Sequence, residues 1–326
     1  MAVSKSVRIV FMGTPEFAVA SLGSLLMNGY NVVGVVTVPD KPAGRGRATT
    51  RSAVKQFSEF SYLPLLQPEN LKDPEFLKAL KSLKPDIIVV VAFRFLPEEV
   101  WSIPSLGTFN LHASLLPDYR GAAPINHAVI NGEHTTGVTT FLIDHNIDTG
   151  NILLREEVPI FTFENAGDLH DRLMRVGARV VTNTVKSMVE GSLKPLPQSH
   201  FIRPGDVIKP APKIFPRNTI IDWKLNPCAI HNMVRGLSPA PCAKSGFTKG
   251  DEQIIFKVYE THPEIKDHAM ECGTLETDGK HYIRIACSGG FINLISLQLA
   301  GRKRMSTVEL LRGFRAGDYS ITTPVL

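Results

Sequence analysis

The chain has no apolar run long enough to cross a bilayer. Its longest, Ile87 to Phe93, is far short of the roughly 20 residues a membrane helix needs. By pattern, no secretory leader is expected either. The run from Val7 to Met12 is barely long enough, and no small-residue cleavage site follows it. A cytoplasmic protein with no membrane association is expected. Cysteine is scarce: Cys228, Cys242, Cys272 and Cys287 are the only four in 326 residues. Their separations of 14, 30 and 15 residues contain no C-x-x-C pair, and no His pair lies nearby. A disulfide scaffold is excluded, no zinc spacing is present, and buried, reduced thiols are expected. Hydrophobic residues make up 43% of the chain, ordinary for a protein with a sizeable core, which excludes a disordered tail. The length suggests about two domains.

What charge there is lies unevenly. Residues 1–189 hold 18 basic and 18 acidic side chains, so the whole excess of +5 falls in residues 190–326. Separately, Lys41, Arg45, Arg47, Arg51 and Lys55 face only Asp40 across the stretch Asp40 to Lys55. Positive surface attracts polyanions by releasing their counterions. A solvated charged face has the same composition. The context of Pro42-Ala43-Gly44-Arg45-Gly46-Arg47, a basic loop with nothing apolar to bury, suits phosphate contact better than packing.

Patterning gives the architecture. Val7 to Phe11, Val32 to Val38 and Asp86 to Ala92 are continuous β-rich apolar runs, separated by helical periodicity at Glu16 to Met27 and Leu71 to Leu83. Such runs read as buried parallel strands. Thr108 to Leu111 and Val138 to Ile143 read as extended, Ala123 to Ile130 and Asn165 to Val189 as helical. The alternation implies an α/β, Rossmann-like, doubly wound, mostly parallel sheet over residues 1–190. Six prolines between Gly191 and Pro216 mark a linker, 191–216. Residues 217–326 carry short strand-like runs at Gln253 to Tyr259, Tyr282 to Ala286 and Phe291 to Leu297, with glycine turns between them. These suggest a smaller β-barrel.

In an open α/β sheet, ligands bind beyond the carboxyl ends of the strands, and three segments are expected there. Met12-Gly13-Thr14-Pro15 is not G-x-G-x-x-G, so no dinucleotide fingerprint is present, and a tight turn explains it as well. In Asn110-Leu111-His112-Ala113-Ser114-Leu115-Leu116-Pro117, strand alternation puts Asn110 and His112 on one face, where both can donate to one oxygen. A structural His–Asn pair reads the same way. In Asp144-His145-Asn146-Ile147-Asp148-Thr149-Gly150, turn formers surround an acid that can orient His112 and stabilise its imidazolium; an Asx-turn aspartate is the alternative. No Gly-x-Ser-x-Gly elbow makes Ser114 a nucleophile. The three groups suit a reaction whose substrate brings its own nucleophile while the protein stabilises an oxyanion and moves a proton.

Asn110-x-His112, Ser114-Leu115-Leu116-Pro117-x-x-x-Gly121 and Ile147-Asp148-Thr149-Gly150 resemble the signature of the 10-formyltetrahydrofolate-dependent formyltransferases. Gly13-Thr14-Pro15-Glu16-Phe17, Pro39-Asp40-Lys41-Pro42-Ala43-Gly44-Arg45-Gly46 and Tyr119-Arg120-Gly121-Ala122-Ala123-Pro124-Ile125 narrow the resemblance to the methionyl-tRNA formyltransferase family. So do Ile221-Asp222-Trp223, Arg235-x-x-x-Pro239-x-Pro241 and Gly301-Arg302-Lys303-Arg304-Met305. The resemblance implies an OB-like C-terminal barrel and formyl transfer from N10 of 10-formyltetrahydrofolate to the α-amino group of methionyl initiator tRNA, without a metal. It assigns Asn110 and His112 to the oxyanion and Asp148 to orienting His112 and to proton transfer. Ser114, Leu115, Leu116 and Pro117 would line the folate site. Arg45 matches the loop arginine that reaches the acceptor end of the tRNA, with Lys41 and Arg47 beside it. The C-terminal charge would hold the acceptor arm. A monomer is expected. Three departures stand out: Asn146 replaces a glycine, Phe93-Arg94-Phe95-Leu96-Pro97 replaces a longer Tyr-Gly stretch, and Ser238 replaces an Asn. Two rival readings stay open, a formyltransferase acting on a small amine and a non-catalytic nucleic-acid binder. The Arg45 loop opposes the first, and the Asn110, His112 and Asp148 constellation opposes the second.

Overall fold

The computed structural model describes residues 6–43 and 48–324. The chain forms two compact units. The first comprises residues up to Gly121, Thr135–Pro159 and His170–Pro210; the second comprises Ala122–His134, Ile160–Leu169 and residues from Ala211 onward. These limits differ from single cuts at 190 and 216.

The sheet of the first unit has seven strands: β1 (Arg8–Gly13), β2 (Asn31–Val36), β3 (Leu65–Leu66), β4 (Ile87–Val91), β5 (Thr108–His112), β6 (Thr135–Leu142) and β7 (Ile152–Pro159). Their order is β7-β6-β5-β4-β1-β2-β3. β1 to β5 pair in parallel, whereas β6 and β7 are antiparallel additions. Five successive apolar residues make β4, and all five are buried because both faces of a central parallel strand are covered. On one face, Val10, Met12, Ile88 and Val90 pack with Phe76 and Leu80 of the helix Pro74–Ser82. Each such side chain, once fully buried, contributes about 1.5–3 kcal/mol. Asp73 starts that helix by accepting the N–H of Glu75, with Pro74 at the first helical position.

Lys41–Ala43 pairs antiparallel with Ala48–Thr50, so the described part of the basic stretch is a hairpin, with Lys41 exposed. Arg45 and Arg47 lie outside the described residues. At the hairpin's base, Lys55 Nζ donates to Asp40 Oδ2 at 2.6 Å and Gln67 to Oδ1 at 3.1 Å, and these bonds hold the Asp40 carboxyl below its usual range.

The Pro-rich stretch is not free chain throughout. Leu196 and Ile152 exchange backbone hydrogen bonds at 2.8 and 3.0 Å, and Gln198–Phe201 forms a single 3₁₀ turn. Residues as far as Pro210 belong to the first unit.

In the second unit, β8 (Ala243–Lys249), β9 (Glu252–Ile265), β10 (Leu275–Thr277), β11 (Ile283–Cys287), β12 (Gly290–Leu299), β13 (Met305–Ser306) and β14 (Ser320–Thr322) build an antiparallel, barrel-like sheet. Its order is β10-β11-β12-β9-β8-β14, with β13 on β12. Register shifts between Val258 and Thr261 bend the long β9. Phe247 and Phe256 stack at 4.3 Å in the core, together with Ile285, Ile292 and Leu297. Trp223 of the Asp-Trp motif is buried and donates Nε1–H to Ser245 Oγ at 3.1 Å. Arg235 is buried too: its Nε donates to Asn232 Oδ1 and its terminal nitrogen to the Glu164 carbonyl. Cys242 and Cys287 are buried as expected, but Cys272 is half-buried and Cys228 is exposed near the start of the helix Pro227–Leu237; all four are free thiols. Among the described residues no helix is long and apolar enough to cross a membrane.

Candidate active site

β5 carries Phe109 and Leu111 into the core and turns Asn110 and His112 to the other face, as alternation requires. His112 is 7% exposed. Its Nε2 lies 2.8 Å from the Tyr119 carbonyl oxygen. A carbonyl only accepts, so this nitrogen carries a proton, and Nδ1 is left for the site. Nδ1 stands 3.8 Å from Asp148 Oδ2, too far for a hydrogen bond and close enough for charge pairing. The Tyr119 carbonyl thus holds one ring nitrogen of His112, and the Asp148 carboxylate faces the other. The Asn110 side-chain amide has no hydrogen-bond partner among the described residues.

Asp148 reaches His112 by an unexpected route. Because β6 is antiparallel, its loop does not leave from the carboxyl end of a parallel strand. Leu142 sits opposite Phe109, and Ile143 N donates to Thr108 O at 2.9 Å, so the loop starts beside the beginning of β5. Two features fold it back. Asp144 Oδ1 accepts from Asn146 N and Thr149 Oγ1, both at 2.9 Å. Gly150 passes so close to the end of β6 that a Cβ there would lie 1.7 Å from the Leu142 carbonyl oxygen. The left-handed residue of the loop is Asp148, with φ 55°, rather than Asn146. Gly121, at φ 122°, turns its N–H onto Asp148 Oδ2 at 3.0 Å.

Of the turn after β5, Leu115 is half-buried and Pro117 buried, while Ser114 and Leu116 are sealed inside. Ser114 Oγ donates to the Asp118 carbonyl at 2.7 Å, and Leu116 packs on Phe141 and Ile152. Ser114 and Leu116 therefore offer a ligand the shape of the backbone rather than a side chain. Thr139 pins the turn: its Oγ1 donates to Ser114 O and accepts from Leu116 N.

The first unit also holds a cavity of about 770 Å³ whose walls include Glu69, Arg94, Phe95, Trp101, Glu98 and His145. Trp101 and His145 meet edge to face at 5.2 Å. Arg94 donates to the carbonyls of Pro68 and Glu69, its Nε is buried with no hydrogen-bond partner among the described residues, and burial pushes its pKa down. His145 belongs to the same loop as Asp148. Among the described residues no group of three or more His, Cys, Asp or Glu side chains could hold a metal ion.

Sequence reading missed Gln198, which lies against the Asp148 loop. Nothing in a proline-rich stretch marks a glutamine as buried.

The fold defines a class. Residues 7–185 match the formyl transferase family, and residues 213–315 match the formyl transferase C-terminal domain. The methionyl-tRNA formyltransferase of Bacteroides fragilis is 51% identical over 311 residues, covering 95% of this chain and 96% of that protein. That of Flavobacterium johnsoniae is 50% identical over 314 residues, covering 96% and 98%. Among solved structures, an N-formyltransferase from Helicobacter canadensis bound to folinic acid and dTDP-3-aminofucose shares the fold. Its TM-score is 0.64 at 19% identity, over 92% of this chain and all of that one. The chain belongs to the formyl transferase family and, within it, to the methionyl-tRNA formyltransferases.

Proposed function

We propose that this chain moves a formyl group from N10 of 10-formyltetrahydrofolate to the α-amino group of methionyl initiator tRNA, with Asn110, His112 and Asp148 of the first unit serving the transfer. The folate, consumed as a substrate, supplies the formyl carbon and a nitrogen leaving group. The amine nitrogen bonds to that carbon, the bond from the carbon to N10 breaks, and the amine's proton ends on N10. The observation that carries the reading is the free amide of Asn110 on the same face as His112. Asn110 donates an N–H to the formyl oxygen as charge gathers there. His112 presents Nδ1, because its Nε2 is held by Tyr119. Asp148 stabilises the imidazolium and helps the proton across. Donors held in place before the reaction act where charge develops, without reorganising.

The residues present fit a folate. A cleft of about 770 Å³ is of the size that encloses a drug-sized ligand. Phe95 and Trp101 suit the flat ring systems, and Glu69 and Glu98 suit amino edges. The turn Ser114, Leu115, Leu116 and Pro117 borders the reacting end.

The division of labour follows the two units: chemistry in the first, tRNA holding in the second, where Ala211–Leu326 carries 15 basic against 11 acidic side chains. Lys41, Arg45 and Arg47 reach the acceptor end. All three reacting side chains come from one chain, so a monomer in the cytoplasm suffices.

The test is formyl transfer to charged initiator methionyl-tRNA, with elongator methionyl-tRNA and free small amines as parallel acceptors. Selective formylation of the initiator is expected. Formylation of a small amine with the tRNA inert would overturn the substrate.

A further inference from the structure

We propose that Gln198 is a positioning residue for Asp148; the proposal rests on the reading of Asp148 as the charge partner of His112. Gln198 is 4% exposed. Its Nε2 donates to the Asp148 carbonyl at 2.8 Å and to the Gly150 carbonyl at 3.0 Å. Its Oε1 accepts from Arg120 Nε at 3.0 Å and from an Arg120 terminal nitrogen at 2.5 Å. The carboxamide has two donors and room for two acceptances, and all four are used. Both ends agree on its orientation, since carbonyls only accept and a guanidinium only donates.

Asp148 needs such a holder. Its φ of 55° is one a non-glycine residue leaves readily unless its surroundings hold it. Two ties connect its loop to the segment beside Tyr119. One is direct, from Gly121 N to Asp148 Oδ2. The other runs from Arg120, the preceding residue, through Gln198 to the backbone on both sides of Thr149. The first aims the carboxylate, and the second fixes the backbone that carries it. Gln198 is itself anchored by the Leu196–Ile152 bridge two residues earlier.

The experiment is a double-mutant cycle. Gln198→Ala and Gln198→Glu are made alone, and Gln198→Ala is combined with Asp148→Ala. kcat and KM are measured for 10-formyltetrahydrofolate and initiator methionyl-tRNA, with thermal unfolding in parallel. Misplacing a reacting group by about 1 Å can cost about 10²-fold, so Gln198→Ala is expected to lower kcat by about 10–100-fold with both KM values within about threefold. Glu accepts from Arg120 but cannot donate to two carbonyls, so Gln198→Glu is expected to lose kcat as well while keeping the side-chain volume. If Gln198→Ala fails to fold, Gln198→Glu carries the test. In the Asp148→Ala background, Gln198→Ala should cost less than about twofold more, the mark of residues acting as one unit. An unchanged kcat in the single variants, full activity in Gln198→Glu, or full additivity in the cycle would overturn the proposal. Asp148→Ala with unchanged kcat would instead overturn the reading of Asp148.

Discussion

Asp148 Oδ2 stands 3.8 Å from His112 Nδ1 and accepts the Gly121 N–H at 3.0 Å. One carboxylate oxygen thus accepts a backbone N–H and also faces the free ring nitrogen of His112, which the proposed function makes its charge partner. Its electrostatic role is separable from its shape, because an amide of equal size can still accept from Gly121.

Asp148→Asn makes that separation. The Asn carbonyl oxygen can replace Oδ2 toward Gly121, but the negative charge facing His112 is gone. We expect kcat to fall by about 10²–10³-fold, the range for removing one preorganised electrostatic group. KM for the tRNA should stay within about threefold, and thermal unfolding should be little changed. Steady-state kinetics on initiator methionyl-tRNA read the split. An unchanged kcat would remove Asp148 from the chemistry.

Gly150→Ala tests the path of the loop. A Cβ there falls 1.7 Å from the Leu142 backbone oxygen, and a backbone atom at a strand end cannot move aside as a flexible side chain can. The loop must shift outward and carry Asp148 with it. We expect a loss of about 2–4 kcal/mol in denaturant unfolding, typical of a strained backbone replacement, together with a drop in kcat. Wild-type stability in this variant would show that the loop does not approach β6 so closely.

How legible the molecule is in its sequence depends on where each signal comes from. Asn110 and His112 are legible because alternation is a local property and β5 is a regular strand. β4 is legible because five apolar residues in a row have few other uses. β7 is not: its centre is Arg155-Glu156-Glu157, which the sheet tolerates because an edge strand has one neighbour and a wet face. β9 reads as a strand only to Tyr259, because Pro263 and the shift of register hide the part that pairs with β12 as far as Gly290. Gln198 is illegible because its partners Asp148 and Arg120 lie 50 and 78 residues away. The turn at Asp144 to Gly150 is readable as a turn, but its left-handed residue is Asp148, chosen by the close pass at Gly150 and the pull of Gly121.

The thiols should separate by burial. Burial pushes the Cys287 thiol up to about 11, and the Cys242 thiol is also raised by burial, whereas Cys228 is exposed. The thiolate is the reactive form, so at pH 8 a disulfide reagent should modify Cys228 quickly and leave Cys242 and Cys287 unmodified until denaturant is added. The same shift sets a sign for stability. A folded thiol with a raised pKa keeps its proton where the unfolded chain loses it. Its contribution is therefore complete below the ordinary thiol range and is lost as pH rises toward about 11. Unfolding free energy should fall across that window, and by less in Cys287→Ser. Rapid modification of all four thiols in the native protein would contradict the burial.

Neutralising the basic stretch should affect the tRNA and leave the folate alone. Lys41 is exposed at the start of its hairpin, and nothing in the described structure pairs its ammonium with an acid. Asp40, the one acid in the stretch, is taken by Lys55. The cation of Lys41 is thus available to phosphates. Removing one cation from a phosphate should lower the slope of log affinity against log salt by roughly one unit for a duplex-like acceptor stem. We expect Arg45→Ala, and more so Lys41→Ala with Arg45→Ala, to raise KM for initiator methionyl-tRNA, while KM for 10-formyltetrahydrofolate stays unchanged. The rise should be largest at low salt and shrink as salt screens the wild-type charges. Formylation assayed from about 50 to 200 mM salt reads both effects, since binding through several phosphates is steep over that interval. A KM increase independent of salt would assign these residues to shaping the loop rather than to the phosphates.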